Sequence, residues 1–440
     1  MSSRARNLLF AGLMLLAFAS AGYKTLTRSA DVAFAASIVK PSSLGASRFS
    51  DMPYNSANAP RSESHFVSSN PGQAVHAPSL VELRNGGLRA VWFSGSREGA
   101  GDVTVQTAIM NPPYQHWEAE TTLFNRKQLQ RSLWRYIKKI GNPVIARAPD
   151  GSLHLWIVNV SLGGWAGSAI TWARSVDEGK TWSSPRRLVT SPFLNISTLV
   201  KGAPVAMANG AVSLPVYHEF VTKFAEVLQI NPQGQVTGKT RIPGSQTSLQ
   251  PVLLVASPTE ATAYMRAGQG GRVMMSSTAD AGNTWAQASS TNLPNPDSAL
   301  AALTTRTGDR LLALNPTAAG RQSMALLKAD SSGSFDAAKP VFVEGAEAAP
   351  QELKKTSASS LSVSSHADLL GRELKAQGVS DADTQAYVAS AARQLCSAAA
   401  CVQEFSYPFL LQTRDGSIHL VYTWQRSRIK HVRIDHAALN

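Results

Sequence analysis

The sequence predicts an all-β fold, a six-bladed β-propeller with a small helical insertion before the last blade. Three observations predict it. The first is an octapeptide that occurs twice: Ser175-Val176-Asp177-Glu178-Gly179-Lys180-Thr181-Trp182, then Thr278-Ala279-Asp280-Ala281-Gly282-Asn283-Thr284-Trp285. The shared pattern suits a tight hairpin turn. The Asp carboxylate accepts turn N–H groups, Gly supplies a positive φ, and Trp anchors the turn to the sheet edge. The second is a recurring outline: a Pro or small residue, alternating apolar residues, a polar turn, then a second alternating run. It appears at Ala77-Pro78 to Phe93, Asn142-Pro143 to Val158, Ala203-Pro204 to Tyr217, Gln250-Pro251 to Met265, Asp297 to Leu314, and Tyr407-Pro408 to Trp424. The third is hairpin chemistry between the paired runs, at Asn85-Gly86-Gly87, Asp150-Gly151 and Asp415-Gly416. Each segment gives two strands and the residues after it two more. Six such units describe blades around a central channel.

The elements follow in order. Arg4 and Arg6 precede an apolar run from Leu8 to Tyr23, so residues 1–23 read as a signal peptide or an N-terminal membrane anchor. Either reading exports the rest of the chain to a periplasmic or extracellular setting, with the inner membrane as partner if the segment stays uncleaved. Residues 24–60 are rich in Ser, Ala and Pro without periodicity and read as a linker. The propeller occupies 61–440. Weaker copies of the turn fall at Met110 to Trp117 and Asp330 to Phe335. The interval before the sixth segment is too long for one blade. Its surplus, about 347–402, reads as a helical insertion, with Asp381 capping a helix through Tyr387 and Leu395, placed to cover a channel mouth or merely to decorate the fold. Cys396 and Cys401, the only cysteines, are expected to pair as a disulfide in an exported chain. Neither has Cys or His partners at metal-ligand spacing, so no metal and no cofactor is expected.

The formal charge of +13 fits an anionic partner such as an acidic glycan or a membrane surface, or else a solvated basic face. Nothing resembles a nucleic-acid module.

Once the repeats are placed, the chain resembles the sialidase superfamily, six-bladed propellers whose blades carry Asp-box turns. The resemblance covers about 73–434. It is nearest to a divergent bacterial sialidase-like branch, through Glu404-Phe405-Ser406-Tyr407-Pro408 and Arg428-Ile429-Lys430-His431-Val432. The resemblance implies three arginines on a substrate carboxylate, a tyrosine nucleophile paired with a glutamate, and an acidic proton donor. A tyrosine suits this chemistry because an anionic nucleophile would be repelled by a carboxylate on the anomeric carbon. Carried over by position, Tyr407 stands where the nucleophile does, Arg266 where the second arginine does, and Arg321 near the third. Guanidinium groups suit a carboxylate through paired N–H donors. Two positions depart. The first arginine's place is taken by His76, in His76-Ala77-Pro78, and the glutamate's place by Gln250, which cannot act as a base. Glu98 and Asp102, on the loop leaving the first blade with Arg97, stand where the acid is expected, and Asp102 equally suits a strand cap. His76 or Glu219 can supply the missing base.

These residues leave several functions open. The leading one is a sialidase-like glycoside hydrolase acting on an acidic sugar of a surface or extracellular glycan. A uronate-glycan lyase uses a similar set, with Arg neutralising the carboxylate and His or Tyr removing the C5 proton. A noncatalytic propeller that binds acidic polysaccharide during envelope assembly needs the arginines but no base. A structural envelope scaffold needs neither.

Overall fold

Four of the innermost strands contain a residue followed by proline, and that dipeptide shapes the channel. Proline has no N–H to give the ladder, so pairing cannot run through it. In the computed structural model the register shifts there, between His76 and Ser79, Gly141 and Val144, Leu249 and Val252, and Ser406 and Phe409. The residue before each proline takes a left-handed backbone: Ala77 at φ 54°, Asn142 at 38°, Gln250 at 49° and Tyr407 at 55°. Non-glycine residues avoid this region, at a cost of order 1–3 kcal/mol each, and it is tolerated where surrounding structure imposes it. The result is a repeated bulge that re-aims side chains at the top of each strand.

The structure describes residues 2–26, 32–35, 62–114, 116–191, 195–268, 270–345, 360–435 and 439. Six antiparallel sheets form the blades. Their innermost strands are Ala74–Glu82, Lys139–Arg147, the split pair Leu199–Val200 and Val205–Ala206, Ser248–Val255, Ala301–Thr304 and Phe405–Gln412. The sixth blade departs from the sequence reading. Three of its strands are consecutive, and the fourth is Ser62–Phe66, which pairs with Arg428–Ile434 and closes the ring. Apolar residues of neighbouring blades fill the seams, as where Trp92, Trp156 and Leu214 share one cluster.

Both octapeptides sit at blade peripheries, on blades two and four. In the first, Thr181 donates to the Asp177 carboxylate through its N–H and hydroxyl, and Gly179 N–H donates to Ser175. The second repeats these bonds at Asp280, Thr284 and Thr278.

The insertion contains helices Val363–Ala376 and Asp381–Leu395, joined at their base by the short pair Ser360–Leu361 and Cys401–Val402. The sequence placed the cap at Asp381. The cap is Ser380, whose hydroxyl accepts from Asp383 N–H. Cys396 and Cys401 form a disulfide. Leu370, Leu374 and Tyr387 pack on blade six. Ser390, Arg393 and Gln394 donate to the carbonyls of Gln73, Gly72 and Ser96, so the second helix ends beside the loop leaving blade one.

A helix spans Ser3–Leu26, and no described helix is long and apolar enough to cross a membrane. Most of the 24–60 linker lies outside the described residues, but residues 32–35 belong to the propeller. Phe34 is buried between blades three and four. Its N–H donates to Pro258, and the backbones of Ala33 and Ala35 bond those of Ala208 and Ala206.

Candidate functional site

The strand ends that carry the bulges converge at one mouth of the channel. Gln250 donates its amide Nε2–H to the Tyr407 hydroxyl at 3.0 Å and to the Tyr217 hydroxyl at 3.4 Å. Asn142 donates to Tyr217 at 3.3 Å. Arg266 donates to Gln250 Oε1 at 3.0 Å. A guanidinium can only donate, so this bond fixes the amide and turns its N–H groups toward the two tyrosines. Gln250 therefore occupies the place of a base paired with Tyr407 while presenting only a donor to the phenol.

Two further guanidinium groups stand beside this set. Arg321 donates to Glu404 at 3.2 Å and to the Asp297 carbonyl at 2.9 Å. Arg426 donates to Glu404 at 2.8 Å and to Glu98 at 2.9 Å. Arg266 completes its pairing with Asp297 at 2.5 Å. The three come from blades four, five and six. Arg266 and Arg426 each keep an NH2 group without a hydrogen bond among the described residues.

His76 marks where these groups meet. Its ring lies 4.1 Å from the Tyr407 ring and it is 2 % exposed. Neither ring nitrogen has a partner among the described residues. Burial, then the charges of Arg426, Arg321, Arg266 and Lys201, hold the imidazole well below its ordinary value, so it is neutral. Lys201 lies deeper in the channel, donating to the carbonyls of Leu300 and Pro408, and burial pushes it down to about 7.

The carboxyl groups have distinct states. Burial alone would raise Glu404, but Arg426, Arg321 and Ser406 more than offset it and hold it below the usual carboxylate range. Glu219 is half-buried at the end of Val212–His218. Burial raises it, with Arg266 and Lys223 opposing. A raised carboxyl in a cleft is suited to proton transfer.

The other sequence candidates fall as follows. Glu98 faces the site but is engaged by Arg426. Asp102 is exposed, and its carboxylate accepts from the Ser96 N–H and hydroxyl, so it ties the loop together. Arg97 is exposed on that loop. Among the described residues, the trio whose ligand atoms lie within 4.8 Å is His366, Cys396 and Cys401, and its sulfurs are consumed by the disulfide.

Sequence reasoning missed Arg426, Asp297, Glu404, Tyr217 and Asn142 as site residues. Arg426 sits in a turn where Gln425 and Arg426 both take positive φ, which no glycine or asparagine announces. The bulge dipeptide Asn142-Pro143 was the available signal for Asn142, because it repeats the geometry of Tyr407-Pro408.

The BNR repeat-like domain family matches residues 86–420. No curated protein sequence matches the chain significantly. Among solved structures, the Hadza microbial sialidase Hz136 aligns with a TM-score of 0.58 at 14% identity, over 83% of this chain and 66% of its own. The intramolecular trans-sialidase from Ruminococcus gnavus aligns at 0.55 and 13% identity, over 85% of this chain and 96% of its own. A protein of unknown function from Dyadobacter fermentans DSM 18053 aligns at 0.59 and 11% identity, over 86% and 100%. Identities this low carry the fold and not the activity. With the family match spanning most of the blades and the propeller shared with sialidases, the chain belongs to the BNR repeat-like domain family, as a divergent member of the sialidase-like propeller superfamily.

Proposed function

We propose that this channel mouth is a glycosidase site of the exo-sialidase type, acting on a carboxylate-bearing sugar of a surface or extracellular glycan. The observation that carries the reading is the convergence of Arg266, Arg321 and Arg426 on Tyr407. The NH2 groups of Arg266 and Arg426 take the substrate carboxylate. Tyr407 attacks the anomeric carbon through its phenol oxygen, which Gln250 holds in line, as the glycosidic bond breaks and the aglycone oxygen leaves; water then hydrolyses the tyrosyl–sugar bond. Glu219 accepts the phenol proton during attack, because its raised carboxyl exchanges protons closer to neutrality than an ordinary glutamate does, and the leaving oxygen takes its proton from water. An exported setting belongs to the proposal, supported by Arg4 and Arg6 ahead of an apolar run and by the disulfide.

One observation favours a second reading, a noncatalytic propeller that binds acidic polysaccharide. Gln250 fills the base position and cannot accept the Tyr407 proton through its N–H. Purified protein incubated with sialosides and uronic-acid glycans decides between them, reading both reducing ends and ultraviolet absorbance. Release of the acidic sugar that disappears in Tyr407→Phe, with carboxylate binding retained, supports the glycosidase. Binding without turnover across the panel supports the noncatalytic reading. Ultraviolet-absorbing unsaturated products reveal a lyase instead.

A further inference from the structure

Fourteen residues between blades one and two carry chemistry that the arginine site does not use. Arg126–Lys139 reads RKQLQRSLWRYIKK and holds six cations with no acidic residue. The helix Arg126–Leu133 is fixed by a reciprocal cap between Asn125 and Gln128 and by burial of Leu129, and Ile137 is buried beyond it. Lys127, Arg131, Arg135 and Lys138 are thereby held toward solvent. Trp134 is 96% exposed and Tyr136 58%. Trp134 ends the helix at φ 48°, an unfavourable backbone for a bulky residue, with its N–H on the carbonyls of Arg131 and Gln130. Among the described residues none of the six cations has a salt bridge. Arg126 and Arg135 donate to the Lys138 carbonyl and the Ser161 hydroxyl.

The strip runs into the site. Lys139 Nζ lies 4.0 Å over the Trp165 ring. Trp165 rests on Gly141, where an added Cβ would meet the indole at 2.9 Å and Phe93 at 3.6 Å. Phe93 in turn packs edge-on against His76 at 5.6 Å, and His76 against Tyr407. A cavity of about 400 Å³, lined by Asp102, Asn125, Arg126, Lys127 and Arg131 among others, borders the helix.

Like charges without salt-bridge partners repel one another, and an exposed indole forgoes burial. An anionic polymer relieves both costs, through displaced counterions and stacking of ring faces on aromatic side chains. The helix alone is about 12 Å long, which calls for a ligand of several sugars. We propose that Arg126–Lys139 is a second binding subsite, for an acidic polysaccharide whose adjoining sugars lie along it while one carboxylate sits among Arg266, Arg321 and Arg426. The subsite rests on the carboxylate reading of the arginines.

The test is titration calorimetry on the full chain. The probes are a hexamer of α2,8-linked N-acetylneuraminic acid and a hexamer of galacturonic acid, each against its monomer. At least one hexamer is expected to bind roughly tenfold or more tightly than its monomer at low salt, since several cationic contacts act together. Arg131→Gln/Arg135→Gln/Lys138→Gln and, separately, Trp134→Ala should remove most of that margin, flatten the salt dependence and leave monomer binding unchanged. These positions are exposed, so folding is not at stake. Hexamers that bind no tighter than monomers would overturn the subsite, as would a margin that survives in the triple variant. Phosphatidylglycerol vesicles or duplex DNA held by the same three cations, with the hexamers unbound, would also overturn it. Strip-dependent hexamer binding that is indifferent to Arg266→Gln would support the subsite and refute the carboxylate reading alone.

Discussion

Glu404 shows how closely the site is balanced. Its carboxylate joins Arg321 to Arg426 and accepts from Ser406, while its backbone exchanges bonds with Gln425. Replacing Arg426 by Gln leaves a buried carboxylate with one guanidinium and removes one of the two NH2 groups offered to a ligand. Affinity for a carboxylate sugar should fall by about 2–5 kcal/mol, measurable by calorimetry, while a neutral sugar is unaffected. Tyr407 and Arg266 were legible in the sequence because they stand at strand positions fixed by the repeat, and Arg321 because it follows a strand of the fifth blade. Arg426 was not, because it occupies a turn of two left-handed residues whose shape comes from Glu404 and the blade around it. His76 was legible as a departure. Its neutrality was not, since that depends on burial and on cations from four other blades.

At the scale of elements, turn chemistry was readable and long-range docking was not. The octapeptide bonds are local, so sequence alone displays them. The strap at 32–35 lies in a stretch without periodicity, and its place is set by a pocket between Met207, Ala281 and Trp285 that forms only when the blades close. Phe34→Ala should destabilise the protein by about 3–5 kcal/mol in urea unfolding, with carboxylate binding unchanged. The disulfide closes a short loop, so replacing both cysteines by serine should cost only about 1–3 kcal/mol. Thiol titration of unfolded, unreduced protein should find no free thiol.

At the scale of the molecule, the ring is closed by a strand from the other end of the chain, and the seam is lined with histidine. His65 on Ser62–Phe66 faces His431, whose Nε2 lies 2.9 Å from His419 Nδ1. Trp117 and Tyr114 of blade one cover the pair, with Asp415 and Arg433 beside it. Burial is the main cause that lowers all three histidines, His419 to about 3 and His431 well below its ordinary value, with Glu63 opposing at His65 and Asp415 at His419. A lowered folded value means that the unfolded chain binds protons first. Stability is therefore complete above about pH 6.5 and falls as pH drops below it, by about 1.4 kcal/mol per pH unit for each histidine that stays neutral when folded. Chemical unfolding between pH 7.5 and about 4.5 should show this decline. A stability flat across that range would contradict the buried, neutral assignment. The pairing of Ser62–Phe66 with the last blade lay beyond a reading that took strands in sequence order.

The central claim is that three arginines from different blades recognise a carboxylate beside Tyr407. The most direct measurement is the affinity of the unmodified protein for N-acetylneuraminic acid against that for its methyl ester, which keeps the shape and removes the charge. The acid should bind roughly tenfold or more tightly, as charged hydrogen bonds to guanidinium require. Equal affinity for acid and ester would contradict the account.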